Sequence, residues 1–174
     1  TAIQILWVNI IMDGPPAMSL GLEAPRDGIM QSKPRAADAV ILPGRRLLKI
    51  GLSGLTMAVG TLGAYAWGLQ AGGAPYAMTL AFTTFVLFQF FNIFNARAEQ
   101  RSAFNSQFFT NGKLWLALVT MLLLQVLVVH WGAAQAVFDT VPLALNDWAL
   151  SLAIAASVLV LEECRKLGLR LLRS

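Results

Sequence analysis

Asp13 is a carboxylate set in the middle of an apolar run, and its neighbours give it a recognisable chemistry. The segment reads Gln4-Ile5-Leu6-Trp7-Val8-Asn9-Ile10-Ile11-Met12-Asp13-Gly14-Pro15-Pro16-Ala17. Asn9 precedes Asp13 by four residues, so on a helix the two side chains share a face. Pro15 and Pro16 carry no N–H, which deprives the carbonyls of Ile11 and Met12 of their helical donors, and Gly14 loosens the chain at the same point. A carboxylate, an amide oxygen and one or two freed carbonyls at one level form the beginning of an oxygen ligand set for a hard cation, which takes six to eight such ligands. The remaining ligands must come from other helices. The alternative role for Asp13 is a structural ion pair, but no Lys or Arg of this chain lies at its depth.

The elements that hold this segment are read from composition. Hydrophobic residues make up 57% of the 174 residues and charged residues 13%, against roughly 45–50% and about 25% in soluble domains. Five apolar runs stand out, at about 2–22, 47–69, 78–94, 114–131 and 148–161. Each approaches the length that a bilayer core of about 30 Å requires of a helix. Lipid offers no partner for backbone amides, so helices are the expected form. The expected fold is an all-α, polytopic transmembrane bundle of about five spanning helices, the first broken at Asp13-Gly14-Pro15-Pro16. An intramembrane carboxylate in such a bundle costs about 2.5–3.5 kcal/mol on insertion scales and marks a functional site.

The 13 Lys and Arg residues all fall on one side of a five-span arrangement: in 23–46, at Lys49, in 96–113 and in the C-terminal segment from Arg165. The connections 70–77 and 132–147 contain none. Basic residues gather on cytoplasmic loops, which predicts that 23–46, 96–113 and 162–174 face the cytoplasm and that residue 1 lies on the far side. The expected location is an integral membrane, the inner one if the source is bacterial. The formal charge of +4 does not indicate nucleic acid, because the basic residues flank apolar spans and no aromatic-basic stripe is present. One cysteine, Cys164, excludes an internal disulfide framework.

Other residues read as architecture. Gly60, Ala64 and Gly68 recur at four-residue spacing in the second run, a flat stripe that admits a neighbouring helix closely. Gln125 can hydrogen-bond across helices. Asn92 and Asn95 suit packing and a helix exit, and His130 beside Trp131 suits an interface. Glu162 and Glu163 lie next to Arg165 and Lys166, as ion pairs at a span end would.

The Asn9-x-x-x-Asp13-Gly14-x-Pro16-Ala17 core resembles the sixth transmembrane helix of type II P-type cation-transporting ATPases. Its double proline and Ile-Ile-Met run are closest to secretory-pathway calcium/manganese pumps and their bacterial relatives. The likeness continues through Leu20–Arg35, Gln89-Phe90-Phe91-Asn92-Ile93-Phe94-Asn95 with Glu99 and Ser102, Asn146-Asp147-Trp148, and Glu162-Glu163-Cys164-Arg165-Lys166. It implies that residues 1–174 are the region of helices six to ten in a longer chain, partnered by the lipid bilayer, helices one to five and the cytoplasmic domains.

The resemblance implies an ATP-driven pump for calcium, with manganese as a further cargo. ATP and magnesium would be handled in domains that carry an Asp-Lys-Thr-Gly motif, which these residues lack; alone they are expected to be inactive. It also implies that Asn9 and Asp13 are ion ligands, with backbone carbonyls of Ile11 and Met12 as further oxygens. Met12 stands where two-site calcium pumps have a threonine ligand. Gln89, aligned through its spacing to Asn92 and Asn95, stands where they have a glutamate. The alternatives are a pump of the same architecture for sodium or protons, and a membrane subunit or scaffold without pump activity.

Overall fold

The computed structural model describes residues 1–22, 43–97 and 109–171, and within them the secondary structure is helical. The basic residues Arg26, Lys33, Arg35, Arg101 and Arg173, the acidic residues Glu23, Asp27, Asp38 and Glu99, and Ser102 lie outside the described residues.

The first apolar run forms α1 (Ala2–Trp7), a π-helical stretch (Val8–Asp13) and α2 (Gly14–Gly21). The break is therefore a change of helical register, with the backbone in right-handed helical geometry at Asp13 and Gly14. Pro15 and Pro16 that interrupt the donor ladder also begin α2, where a proline in the first turn needs no N–H and has its φ already set.

The second and third runs form one element, α3 (Gly44–Arg97), folded back on itself at Gly73. Gly73 has φ 79°, which glycine adopts without the strain a Cβ brings. Pro75 then opens the second arm. The two arms, 44–72 and 74–97, run further than the apolar runs that mark them, because a helix ends where glycine or proline stops it and not where hydropathy falls. α4 (Gly112–His130) is capped by Asn111, whose side chain accepts the Leu114 N–H at 3.0 Å. The short α5 (Gly132–Phe138) and the long α6 (Leu145–Leu171) complete the bundle. Among the described residues three helices are long and apolar enough to cross a membrane, and the longest is the folded α3.

Packing follows the small residues. Ala64 is buried, and a Cβ on Gly60 would lie 2.5 Å from the Phe88 ring and 3.0 Å from Ile154. The stripe thus seats the first arm of α3 against its second arm and α6. At Gly68 a Cβ would lie 2.8 Å from the Cα of Ala77, a backbone atom that cannot rotate away. Gly68→Ala is expected to cost about 1–3 kcal/mol by forcing the arms apart. Gly63→Ala, where no atom lies within 4 Å, is its neutral control. Equal melting temperatures of the two variants in detergent would show that the arms do not need this contact.

The outer face of the bundle is apolar: Leu47, Leu55, Leu62, Leu116, Leu123 and Val160 are all exposed. Water would make so extensive a patch a liability, whereas lipid is its natural solvent. At one end of the bundle Lys49 reaches the Asn95 carbonyl and Glu162, Arg97 reaches Thr110, and Ser19 reaches the Lys113 carbonyl. The opposite end is closed by neutral and acidic groups. Tyr76 donates to Asp147 at 2.6 Å, Asp147 accepts the Ala144 N–H at 2.8 Å, and Thr140 donates to the Val128 carbonyl at 2.6 Å.

Candidate functional site

A π turn pairs each carbonyl with the N–H five residues on, in place of the fourth. The nitrogen facing the Ile11 carbonyl is that of Pro15 in the α register and that of Pro16 in the π register. Neither bears a hydrogen, so Ile11 has no helical donor either way. Met12 differs, since Ala17 can supply an N–H in the π register. Of the two backbone oxygens considered from sequence, Ile11 is the one that both registers leave unpaired.

The same turn sorts the side chains. Met12 is 1% exposed and packs in a core cluster with Leu114, Leu118 and Met121 of α4. Its thioether therefore lies in the core, and Met12 does not line the cavity beside the π turn. Asn9 and Asp13 are exposed and line a cavity of 610 Å³ together with Gln89 from the second arm of α3. The Asn9 amide nitrogen donates to the Ile5 carbonyl at 3.0 Å, so it is the nitrogen and not the oxygen of this amide that binds the preceding turn.

Thr61 and Tyr65 from the first arm of α3, and Thr1 and Gln4 at the start of the first helical run, add to the polar lining, between apolar walls that include Phe82 and Phe85. The Thr61 hydroxyl is enclosed and has no hydrogen-bond partner. Sequence reading passed over Thr61 and Tyr65, because a Thr and a Tyr in an apolar helix carry no signal until a neighbouring helix fixes which face they occupy. Among the described residues the polar lining comprises one carboxylate, Asp13, the amides of Gln4, Asn9 and Gln89, and the hydroxyls of Thr1, Thr61 and Tyr65. Oxygen donors in an apolar surround suit a hard cation and offer nothing to a soft one. Among the described residues no group of three or more His, Cys, Asp or Glu side chains could hold a metal by itself.

The other polar residues lie elsewhere. Asn95 is buried and donates to the Val158 carbonyl at 3.1 Å, a packing role. Asn92 is half-buried and does not line the cavity. His130 is exposed, accepts the Trp148 indole N–H at 3.2 Å and stacks on that ring. Glu162 pairs with Arg165 and Glu163 with Lys166, at 2.8 and 2.9 Å. Cys164 is exposed and free.

A family model described as cation transporting ATPase, C-terminus, matches residues 1–168. Calcium-transporting ATPase 1 of Schizosaccharomyces pombe is 37% identical over 95% of this chain and 18% of its own length. Calcium-transporting ATPase type 2C member 2 of Mus musculus is 38% identical over 95% of the chain and 18% of its length. Calcium-transporting ATPase type 2C member 1 of Homo sapiens is 35% identical over the same shares. The chain therefore spans less than one-fifth of the length of these relatives.

Proposed function

Since the chain belongs to the type II P-type cation-transporting ATPases, as their C-terminal membrane region, we propose that it supplies part of the intramembrane site of an ATP-driven calcium pump. The observation that carries the proposal is the meeting of Asn9, Asp13 and Gln89 on one cavity beside the π turn. Three helical segments distant in sequence contribute its oxygens. The relatives named above support calcium as the cargo; manganese, another oxygen-seeking divalent ion, fits the same donors. ATP and magnesium belong to the remainder of the protein, as do the ligands that complete six to eight oxygens around the ion.

The lining also bears on stoichiometry. A second divalent ion needs further negative charge in a low-dielectric site, and Gln89 brings a neutral amide where a carboxylate would be required. Met12, turned into the core, brings nothing. The full-length protein is expected to form phosphoenzyme from ATP with non-cooperative calcium activation, one ion per ATP, and to be little altered by Gln89→Ala. A Hill coefficient near two would show that other residues rebuild a second site. Activation by sodium or protons in place of calcium would assign the chain to a different pump of the same architecture.

The basic end of the bundle is the cytoplasmic end in this reading, as juxtamembrane Lys and Arg require, and the membrane is the inner one if the source is bacterial. Phe109 and Leu145, 75% and 84% exposed, lie towards opposite ends. In a Cys164-free background a cysteine at Phe109 should resist an impermeant thiol reagent in sealed cells, and one at Leu145 should react. Labelling of both from outside would overturn the orientation.

A further inference from the structure

We infer that α4 is a splint for the interrupted helix, and that Gln125 and Asn111 are positioning residues for the ion site; this rests on the reading of Asn9 and Asp13 as ion ligands. A helix whose carbonyls face prolines cannot hold its two halves in register by its own hydrogen bonds, so neighbours must do it. α4 runs antiparallel to α1 and α2 and grips them on both sides of the π turn.

Before the turn, the Trp7 indole N–H donates to the Gln125 side-chain oxygen at 3.3 Å. The Gln125 amide nitrogen in turn donates to Thr83 of the second arm of α3 at 3.4 Å. Gln125 and Thr83 are fully buried. A primary amide at that depth is costly unless both of its ends are used, and here each has a partner on a different helix. Beyond the turn, Asn111 donates to the Ser19 carbonyl at 3.1 Å, while the Ser19 hydroxyl faces the Pro15 carbonyl at 2.8 Å and the Lys113 carbonyl at 3.5 Å.

Between these two attachments, about 21 Å apart along α4 at 1.5 Å per residue, Met12 is sealed among Leu114, Leu118 and Met121. The turn is thus fastened above, below and at its centre by one helix, while Asn9 and Asp13 remain on the cavity. Trp7, Thr83, Ser19 and Leu114, the hydrogen-bond partners of the Gln125 and Asn111 side chains, do not line the cavity. Gln125 and Asn111 set where the two halves stand, and so where the ligand oxygens stand.

The test uses the full-length pump and reads the calcium concentration for half-maximal ATP hydrolysis apart from the maximal rate. Gln125→Leu should raise half-saturation about five- to tenfold, the scale of one or two buried hydrogen bonds, with a near-normal maximal rate. Trp7→Phe should act in the same direction, and the double variant should be no worse than the worse single, since the Trp7–Gln125 bond is lost in either. Asn111→Asp keeps the oxygen that caps Leu114 and replaces the donor to Ser19 with a carboxylate oxygen that repels its carbonyl. It should also raise half-saturation, and it decides the matter alone if Gln125→Leu fails to accumulate.

Unchanged half-saturation, or a fall in folded protein and maximal rate without a change in half-saturation, would overturn the splint. Asp13→Asn measured in parallel separates the two readings. If it keeps normal calcium dependence, the site and the splint fail together. If it is inactive while Gln125→Leu and Asn111→Asp match the unmodified pump, the splint alone fails.

Discussion

Asp13→Asn is expected to abolish calcium-dependent phosphorylation of the full-length pump at any practical calcium concentration. The substitution is nearly isosteric and keeps one side-chain oxygen, so it tests charge and not shape. Among the described residues Asp13 is the one carboxylate on the cavity wall. Two unit charges about 4 Å apart attract by about 4 kcal/mol at an effective dielectric of 20, and a divalent ion doubles the charge product. Even 4 kcal/mol is about a thousandfold in affinity. Asn9→Ala removes a neutral oxygen and should weaken activation by a smaller factor. Phosphoenzyme formation by Asp13→Asn with near-normal calcium dependence would show that the carboxylate is structural and that the cation is held elsewhere.

Glu162→Gln should be the most destabilising single change away from the site. Glu162 is 5% exposed and accepts a hydrogen bond from Arg165 on each of its oxygens, both at 2.8 Å, while Lys49 lies 3.2 Å from Oε1, the oxygen that also takes the Arg165 Nη2 bond. Lys49 also reaches the Asn95 carbonyl at 3.5 Å. One carboxylate therefore joins the start of α3, its far end and α6. Neutralising it leaves two cations crowded at a partly desolvated end, and breaking a buried pair in this way costs about 3–5 kcal/mol. The melting temperature of the detergent-solubilised protein should fall by roughly 10 °C. Lys49→Met combined with Glu162→Gln should recover part of the loss, because the orphaned charge is then removed as well. A fall of a degree or less in Glu162→Gln would show that this end is wet enough to screen the pair.

The two predictions rest on features that were unequally legible in the sequence. Asp13 could be singled out because a carboxylate within an apolar run violates the composition around it, and because proline's missing N–H is a property of the residue itself. The pairing of Glu162 with Arg165 follows from helical spacing. Lys49 as a further partner does not, since nothing local links the beginning of α3 to the end of α6. Gln125 shows the same division. Its amide announced a need for partners across helices, but Trp7 and Thr83 became those partners only when three helices packed.

The helical class and the membrane character were determined by the sequence alone, because lipid leaves an apolar chain little choice but to satisfy its amides within a helix. So was the place of the break, since Pro15 and Pro16 interrupt the ladder in any environment. The tertiary structure decided the form of that break. The chain adopts a π register that sends Met12 into the core beside α4 and leaves Asn9 and Asp13 on the cavity. It also decided that Gln89, Thr61 and Tyr65 share that cavity with them. Which residues face one another across helices depends on how each helix is rotated about its axis. That rotation is set by close packing at sites such as Gly60 against Phe88 and Gly68 against Ala77, contacts that exist only once the helices have met.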